Sequence, residues 1–294
     1  MWMEKTASFA HPGTGAGFAT AWSPSGAALA VAGFDQAVVV WDVDSGEPLV
    51  RATHEAAVGC VSWSPRGGTI ASGSSDGRVN LIDVRSGRRL GQAFGHADEV
   101  RTVAYAPNGS MVASGANDGT VRLWQAQDLG PLVGMAAHAG IVHSVDWSPD
   151  GLWLASAGHD GIVRLWEPGA ATAAGGIAGH RGAVTSVAYS PDGRHLASGG
   201  VDATLRIWDL AEARYHTVLE SFDGCRVTGL AYAPDGRHLA ALDQDPTLRI
   251  FRAEDGELLG SAAVPHGTVS VSWSPRGGTI AVSGSAVDLW SVRF

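Results

Sequence analysis

Three stretches of the chain carry histidine, serine and aspartate at identical intervals: His96, Ser114 and Asp118; His138, Ser156 and Asp160; His180, Ser198 and Asp202. A tryptophan follows each aspartate, at Trp124, Trp166 and Trp208. Serine, histidine and aspartate are the side chains of a hydrolase triad, in which imidazole takes the serine proton and the carboxylate orients the imidazole. Repetition argues against that chemistry, because a reaction needs one site and near-copies point to structure. A fourth, incomplete set keeps His54, Ser72 and Asp76 but has Ile82 in place of the tryptophan. The run Gly73-Ser74-Ser75-Asp76-Gly77 also matches the G-x-S-x-G nucleophile elbow. That motif requires a strand-to-helix turn, whereas its flanks here read as two strands joined by a Gly-rich turn. The remaining cluster, unrepeated, is His143, Asp146 and His159. Two imidazoles and a carboxylate suit a divalent transition metal, but a strand rise of about 3.3 Å per residue puts Asp146 roughly 10 Å below His143. The sequence therefore predicts no metal, no cofactor and no catalytic residue. Asp146 stands where the other repeats have Ala21, Ser62, Ala104, Ala188, Ala231 and Ser272, and is expected to be a structural hydrogen-bonding residue.

What positions these residues is a repeat. The stretch VSWSPRGGTIA occurs at Val61–Ala71 and again, letter for letter, at Val271–Ala281. Its core is an aromatic residue, Ser or Ala, then Pro-x-Gly, and it recurs at Trp22, Trp63, Tyr105, Trp147, Tyr189, Tyr232 and Trp273, at spacings of 41 to 43 residues. A period of this size marks a repeat architecture in which no unit buries its faces alone. Within a repeat, short apolar runs are cut off by Gly, Pro, Asp or Asn, which reads as four antiparallel strands with tight turns. SPDG has the Pro and Gly placement of a type I turn. Four strands in each of seven repeats predict an all-β, seven-bladed propeller filling residues 1–294 as one domain. The chain ends after the third strand of its seventh repeat, so residues 2 to 9 are expected to supply that blade's outer strand and close the ring.

The His, Ser, Asp and Trp sets, the Gly-His pairs at Gly95-His96 and Gly179-His180, and the Trp-Asp pairs at Trp41-Asp42 and Trp208-Asp209 resemble the WD-repeat (WD40) family over the whole chain. The resemblance implies that each complete set, His96, Ser114, Asp118 and Trp124 and its two equivalents, is a buried hydrogen-bonded network tying a loop to a turn. It also implies departures: Val31 and Ala241 replace the serine, Asp223 replaces a histidine, and the seventh repeat is shortened around Gly284. Blades six, seven and one are therefore expected to hold by packing alone. The family resemblance further implies a platform for proteins or peptides, using the face made by the His loops and Asp turns. Its contact positions are the residue before the turn aspartate and the third and fifth residues after the loop histidine. In this chain these are Phe34, Ser75, Asn117, His159, Val201 and Gln244; Ala57, Glu99, Ile141 and Ala183; and Gly59, Arg101, His143 and Thr185. The alternative is a ligand- or metal-dependent enzyme at the fourth blade's channel mouth. The arginines Arg122, Arg164, Arg206 and Arg249, two residues before Trp or Phe, are expected to stack on those rings.

Composition narrows the partners. A net charge of −9, with Lys5 the single lysine, leaves no clustered cations to track phosphates, so nucleic acid is not an expected partner. No apolar run approaches membrane-spanning length, and the N-terminus has no apolar stretch after its first charges, so a cytoplasmic protein with no membrane partner is expected. Cys60 and Cys225 fall in the second and sixth repeats, too far apart around a ring to pair.

Overall fold

Each Pro-x-Gly motif forms the tight turn its sequence implies. In the fourth repeat Gly151 N–H donates to the Ser148 carbonyl at 2.8 Å, and Ser148 Oγ donates to Asp150, whose carboxylate also takes the Leu152 amide. Gly151 has φ +72°, a left-handed conformation that other residues enter only with strain. The same glycine-to-carbonyl bond closes this turn in all seven repeats, from Gly26 to Gly277. Turns this tight force the flanking strands to pair antiparallel.

The computed structural model describes residues 1–10, 17–168, 173–211, 214–219, 222 and 224–294. Among them are 28 strands in seven four-stranded antiparallel sheets and no helix. This is the all-β, seven-bladed propeller predicted from the repeat. The first strands of successive blades lie against one another around the ring, and strand Gly17–Trp22 meets strand Ser270–Trp273 to complete the circle. Closure follows the expected route. Strand Trp2–Ala10 pairs with Ala286–Arg293, from Trp2 opposite Arg293 to Ala10 opposite Ala286, and becomes the outer strand of the seventh blade.

The core lies between blades rather than within one. Val79, Leu81 and Ala93 of the second blade pack with Val103, Tyr105 and Trp124 of the third, and equivalent clusters repeat around the ring. Each blade buries both faces of its middle strands, which explains why these read as short continuous apolar runs rather than alternating ones. Among the described residues no helix is long and apolar enough to cross a membrane.

The first, sixth and seventh blades are not held by packing alone. In the sixth, buried Asp243 sits two residues before the turn aspartate, pairs with Arg249 and accepts from the Thr247 amide at 3.0 Å. In the seventh, Asp288 is 1% exposed and receives Ser8 Oγ at 2.6 Å and Lys5 Nζ at 2.8 Å, both from the closing strand. In the first, Asp35 pairs with Arg51 at 2.8 Å, and Thr20 Oγ1 meets Ser272 Oγ of the seventh blade at 2.7 Å. Ion pairs and hydroxyls stand where the His–Ser network is missing, the ion pairs each anchored on a buried or half-buried carboxylate, which would be costly to leave unpaired. Asp223 lies outside the described residues.

Candidate functional site

The network residues converge in the third, fourth and fifth blades. Ser114 Oγ lies 2.7 Å from His96 Nε2 and accepts from Trp124 Nε1 at 2.7 Å. Ser156 and Ser198 make the same two contacts, at 2.8 and 2.9 Å, with His138 and Trp166 and with His180 and Trp208. Each aspartate also accepts a loop amide: Asp118 from Ala97, Asp160 from Ala139, Asp202 from Arg181. Burial, the largest effect, lowers the basicity of His96, His138 and His180. Burial also raises Asp202, but bonds from His180, the Arg181 amide and Thr204 outweigh it and leave the carboxyl at about 2. A serine hydroxyl already placed between imidazole and indole is not an exposed nucleophile.

One position decides how well each network closes. Two residues before the turn aspartate stand Gly158 in the fourth blade and Gly200 in the fifth, where His138 and His180 reach their aspartates at 2.8 and 2.9 Å. A Cβ at Gly158 would overlap His138 Nδ1, and one at Gly200 would lie 2.6 Å from His180 Nδ1. The third blade has Ala116 there; its His96–Asp118 separation is 3.4 Å, and Nδ1 turns to Thr120 Oγ1 at 2.9 Å. The second blade has Ser74, whose hydroxyl donates to Asp76 at 2.6 Å. His54 still meets Ser72 at 2.8 Å, but its Nδ1 has no partner among the described residues. The second blade therefore lacks the carboxylate contact as well as the indole, which its conserved-looking letters did not disclose.

The strand arginines do more than stack. Arg164 Nη1 donates to Asp160 at 2.7 Å, Arg206 lies 3.6 Å from Asp202, and Arg249 pairs with Asp243 at the end of the preceding strand, each charge held next to a carboxylate. Arg249 also lies over the ring of Phe222, 5.2 Å from its centroid. A carboxylate on the same hairpin attracts the guanidinium more strongly than a neighbouring ring does.

Two backbone devices aim the remaining face residues. First, the residue before the turn aspartate donates its amide to the carbonyl of the third residue after the loop histidine: Ser75 to Ala57, Asn117 to Glu99, His159 to Ile141 and Val201 to Ala183, at 2.9 to 3.0 Å. Second, the innermost strand is bulged where Gly59, Arg101, His143 and Thr185 sit, the register slipping from Val58 to Cys60, Val100 to Thr102, Val142 to Ser144 and Val184 to Ser186. A bulge leaves one residue unpaired and re-aims its side chain. Gly59, Glu99, Arg101, His143 and Thr185 accordingly line a central cavity of about 530 Å³.

Phe34 and Val201 are 54% and 40% exposed, and Ser75, Arg101, His159 and Gln244 are exposed as well. Ala57, Asn117 and Ile141 are half-buried on the same face outside the cavity, and Ala183 is buried at 6%. The same devices reveal residues that counting forward from a loop histidine missed. Gln244 donates to the Arg226 carbonyl at 3.0 Å, and the sixth blade's bulge falls at Thr228. Arg226 and Thr228 line the cavity with the others, as does Val269 of the seventh blade, the third residue after His266. Counting back from Tyr232, rather than forward from a histidine the sixth repeat lacks, would have found Arg226 and Thr228, and counting forward from His266 would have found Val269.

His143 lies beside His159, ring centres 5.8 Å apart. Burial, then Arg101, His159, His138 and Arg226, push its imidazole down to about 4. Asp146 faces elsewhere. Its carboxylate accepts the amides of Trp147 at 3.0 Å and of Tyr189 in the next blade at 2.7 Å, as Ser62 accepts that of Tyr105 at 3.0 Å. Burial pushes the Asp146 carboxyl up to about 7. Among the described residues no three of His, Cys, Asp and Glu are grouped to hold a metal ion.

Residues 73–293 match the family model described as IFT122 first beta-propeller, and residues 7–42 and 47–83 match that of the WD domain, G-beta repeat. No curated protein matches the chain.

Proposed function

The chain belongs to the WD40-repeat β-propeller family, whose members generally serve protein interaction, and on that premise we propose that it is a non-catalytic scaffold binding a protein or peptide across its channel-mouth face. The observation that carries this reading is the convergence of four strand bulges with the turn-to-loop amide bonds, which fixes Arg101, His143 and Thr185 at one cavity and presents Phe34 and Val201 beside it. Rigid backbone with exposed aromatic and arginine side chains suits partner anchoring, since such residues dominate binding hot spots. The networks of blades three to five act as braces that keep the loops of this face in register. The same reading places the protein in the cytoplasm.

The test is retention of native partners by the purified propeller. Phe34→Ala with Arg101→Ala is expected to leave the melting temperature within about 2 °C, since exposed side chains contribute little to stability, and to abolish retention. Loss of partners instead on changing Arg66, Asp128 and Arg276, at the opposite face, would place the interface there.

A further inference from the structure

An acidic protein has collected cations at its central opening. Against a net charge of −9, the ionisable side chains lining the central cavity are Arg101, Arg226, His143 and one carboxylate, Glu99. They come from blades three, six and four, so the ring and not the local sequence brings them together. Around them the lining mixes short residues such as Gly59, Thr185 and Thr228 with apolar ones such as Val103, Leu230 and Val269. Glu99 lies 3.2 Å from Arg101 and partly neutralises it. Arg226 has no carboxylate partner among the described residues. His143 Nε2, shielded from solvent, has no hydrogen-bond partner either, although a buried ring nitrogen is costly to leave unsatisfied. Two guanidiniums at one cavity of about 530 Å³, one of them without a carboxylate partner among the described residues, want an acceptor.

We infer that the channel mouth is an anion seat, in which Arg226 and Arg101 hold the carboxylate or phosphate ester of a partner's side chain beside the His143 ring. This rests on the platform reading and adds the chemistry of what the face selects. Guanidinium forks pair bidentately with either oxyanion. The groups facing His143 are Arg101, Arg226, His138 and His159, with Glu99 beside Arg101. An anion seated among them offsets part of the penalty, from burial first and the arginines next, that keeps His143 unprotonated. By linkage the imidazole becomes more basic when the anion binds, and the anion binds more tightly in acid.

The probes are blocked amino acids: N-acetyl-glutamate methylamide, the phosphoserine equivalent, and the glutamine equivalent as neutral isostere. Each is titrated into the intact protein while the His143 ring protons are followed by NMR. Both anions are expected to bind and raise the His143 pKa, glutamine to do neither, and Arg226→Gln to weaken anion binding at least tenfold with an unchanged melting temperature. The phosphate ester binds tighter if a phosphorylated side chain is the natural occupant, the carboxylate if an acidic one is. Arg66→Gln, at the opposite face, is expected to change nothing. Equal binding of glutamine, or full anion binding by Arg226→Gln, would overturn the seat. If that happened while Phe34→Ala with Arg101→Ala still lost partners, the platform would stand and the anion chemistry alone would fall.

Discussion

A single side chain two residues before each turn aspartate sets the strength of a whole loop-to-turn brace. Glycine lets histidine and aspartate meet, alanine stretches them apart, and serine captures the aspartate for itself. Replacing Ser74 with Gly in the second blade is expected to free Asp76 to reach His54 Nδ1. His54 is now lowered mainly by burial; a carboxylate contact would raise its pKa, which an NMR titration of the His54 ring reads directly. An unchanged titration would mean that Ser74 is not what withholds Asp76. Asp146 offers a second residue-scale prediction. Its folded pKa near 7 lies above the ordinary 3.8, so its contribution to stability is complete below about pH 3.8 and is lost as pH rises through 7. Asp146→Ser, the residue at this place in the second blade, keeps an acceptor for the Tyr189 amide and removes the carboxylate. Melting temperatures are expected to rise relative to the parent by more at pH 8 than at pH 5; an equal effect at both would contradict a buried, hard-to-ionise acid.

The closing strand shows what one element contributes. Strand Trp2–Ala10 covers an edge that would otherwise present a row of open backbone groups, a template for pairing with another chain. Its Lys5 and Ser8 also hold Asp288 Oδ1, and among the described residues Lys5 is its charge partner. Lys5→Met is expected to cost about 1 kcal/mol in urea unfolding, the low end for an unpaired buried charge because the lysine is itself 43% exposed. Deleting residues 1–10 should cost several times more and make the protein self-associate, because both the edge and Asp288 are uncovered. A deletion variant as stable and monomeric as the parent would show that the ring closes by other contacts.

Across the whole molecule, the repeated histidines make stability depend on acid with a sign that can be worked out. His54, His96, His138 and His180 are all lowered from 6.5 in the folded state, so unfolded chains bind protons more readily. The stabilisation they provide is fully present above about pH 6.5 and is lost as pH falls through their folded values. Asp118, Asp160 and Asp202, lowered from 3.8, add a second loss below that pH. Measured in an Asp146→Ser background, which removes that acid's opposing titration, denaturant midpoints from pH 7.5 to 4 should fall, and fall less when His138→Gln is added; a flat profile would count against the networks being buried and neutral.

The number of blades, the turns, the ring closure and the membership of each His, Ser, Asp and Trp set were legible in the sequence. Each depends on local chemistry, a Pro-x-Gly turn or a fixed strand length, that repeats with the chain. Three things were not. Spacing located Asp76 near His54 but could not show that Ser74 intercepts it, since that outcome turns on a Cβ meeting a ring nitrogen within an ångström. Reading blades one, six and seven as held by packing alone overlooked Asp243, Asp35 and Asp288, whose partners Arg249, Arg51 and Lys5 lie elsewhere along the strands or at the far end of the chain. Arg226 was passed over because its repeat lacks the histidine from which positions were counted. Spacing along a chain determines which blade a residue occupies and which end it faces. Only the closed ring brings Arg101, His143 and Arg226 from three separate blades to one cavity, because their approach is fixed by the curvature of the whole, helped at Arg101 and His143 by bulges that re-aim the side chain.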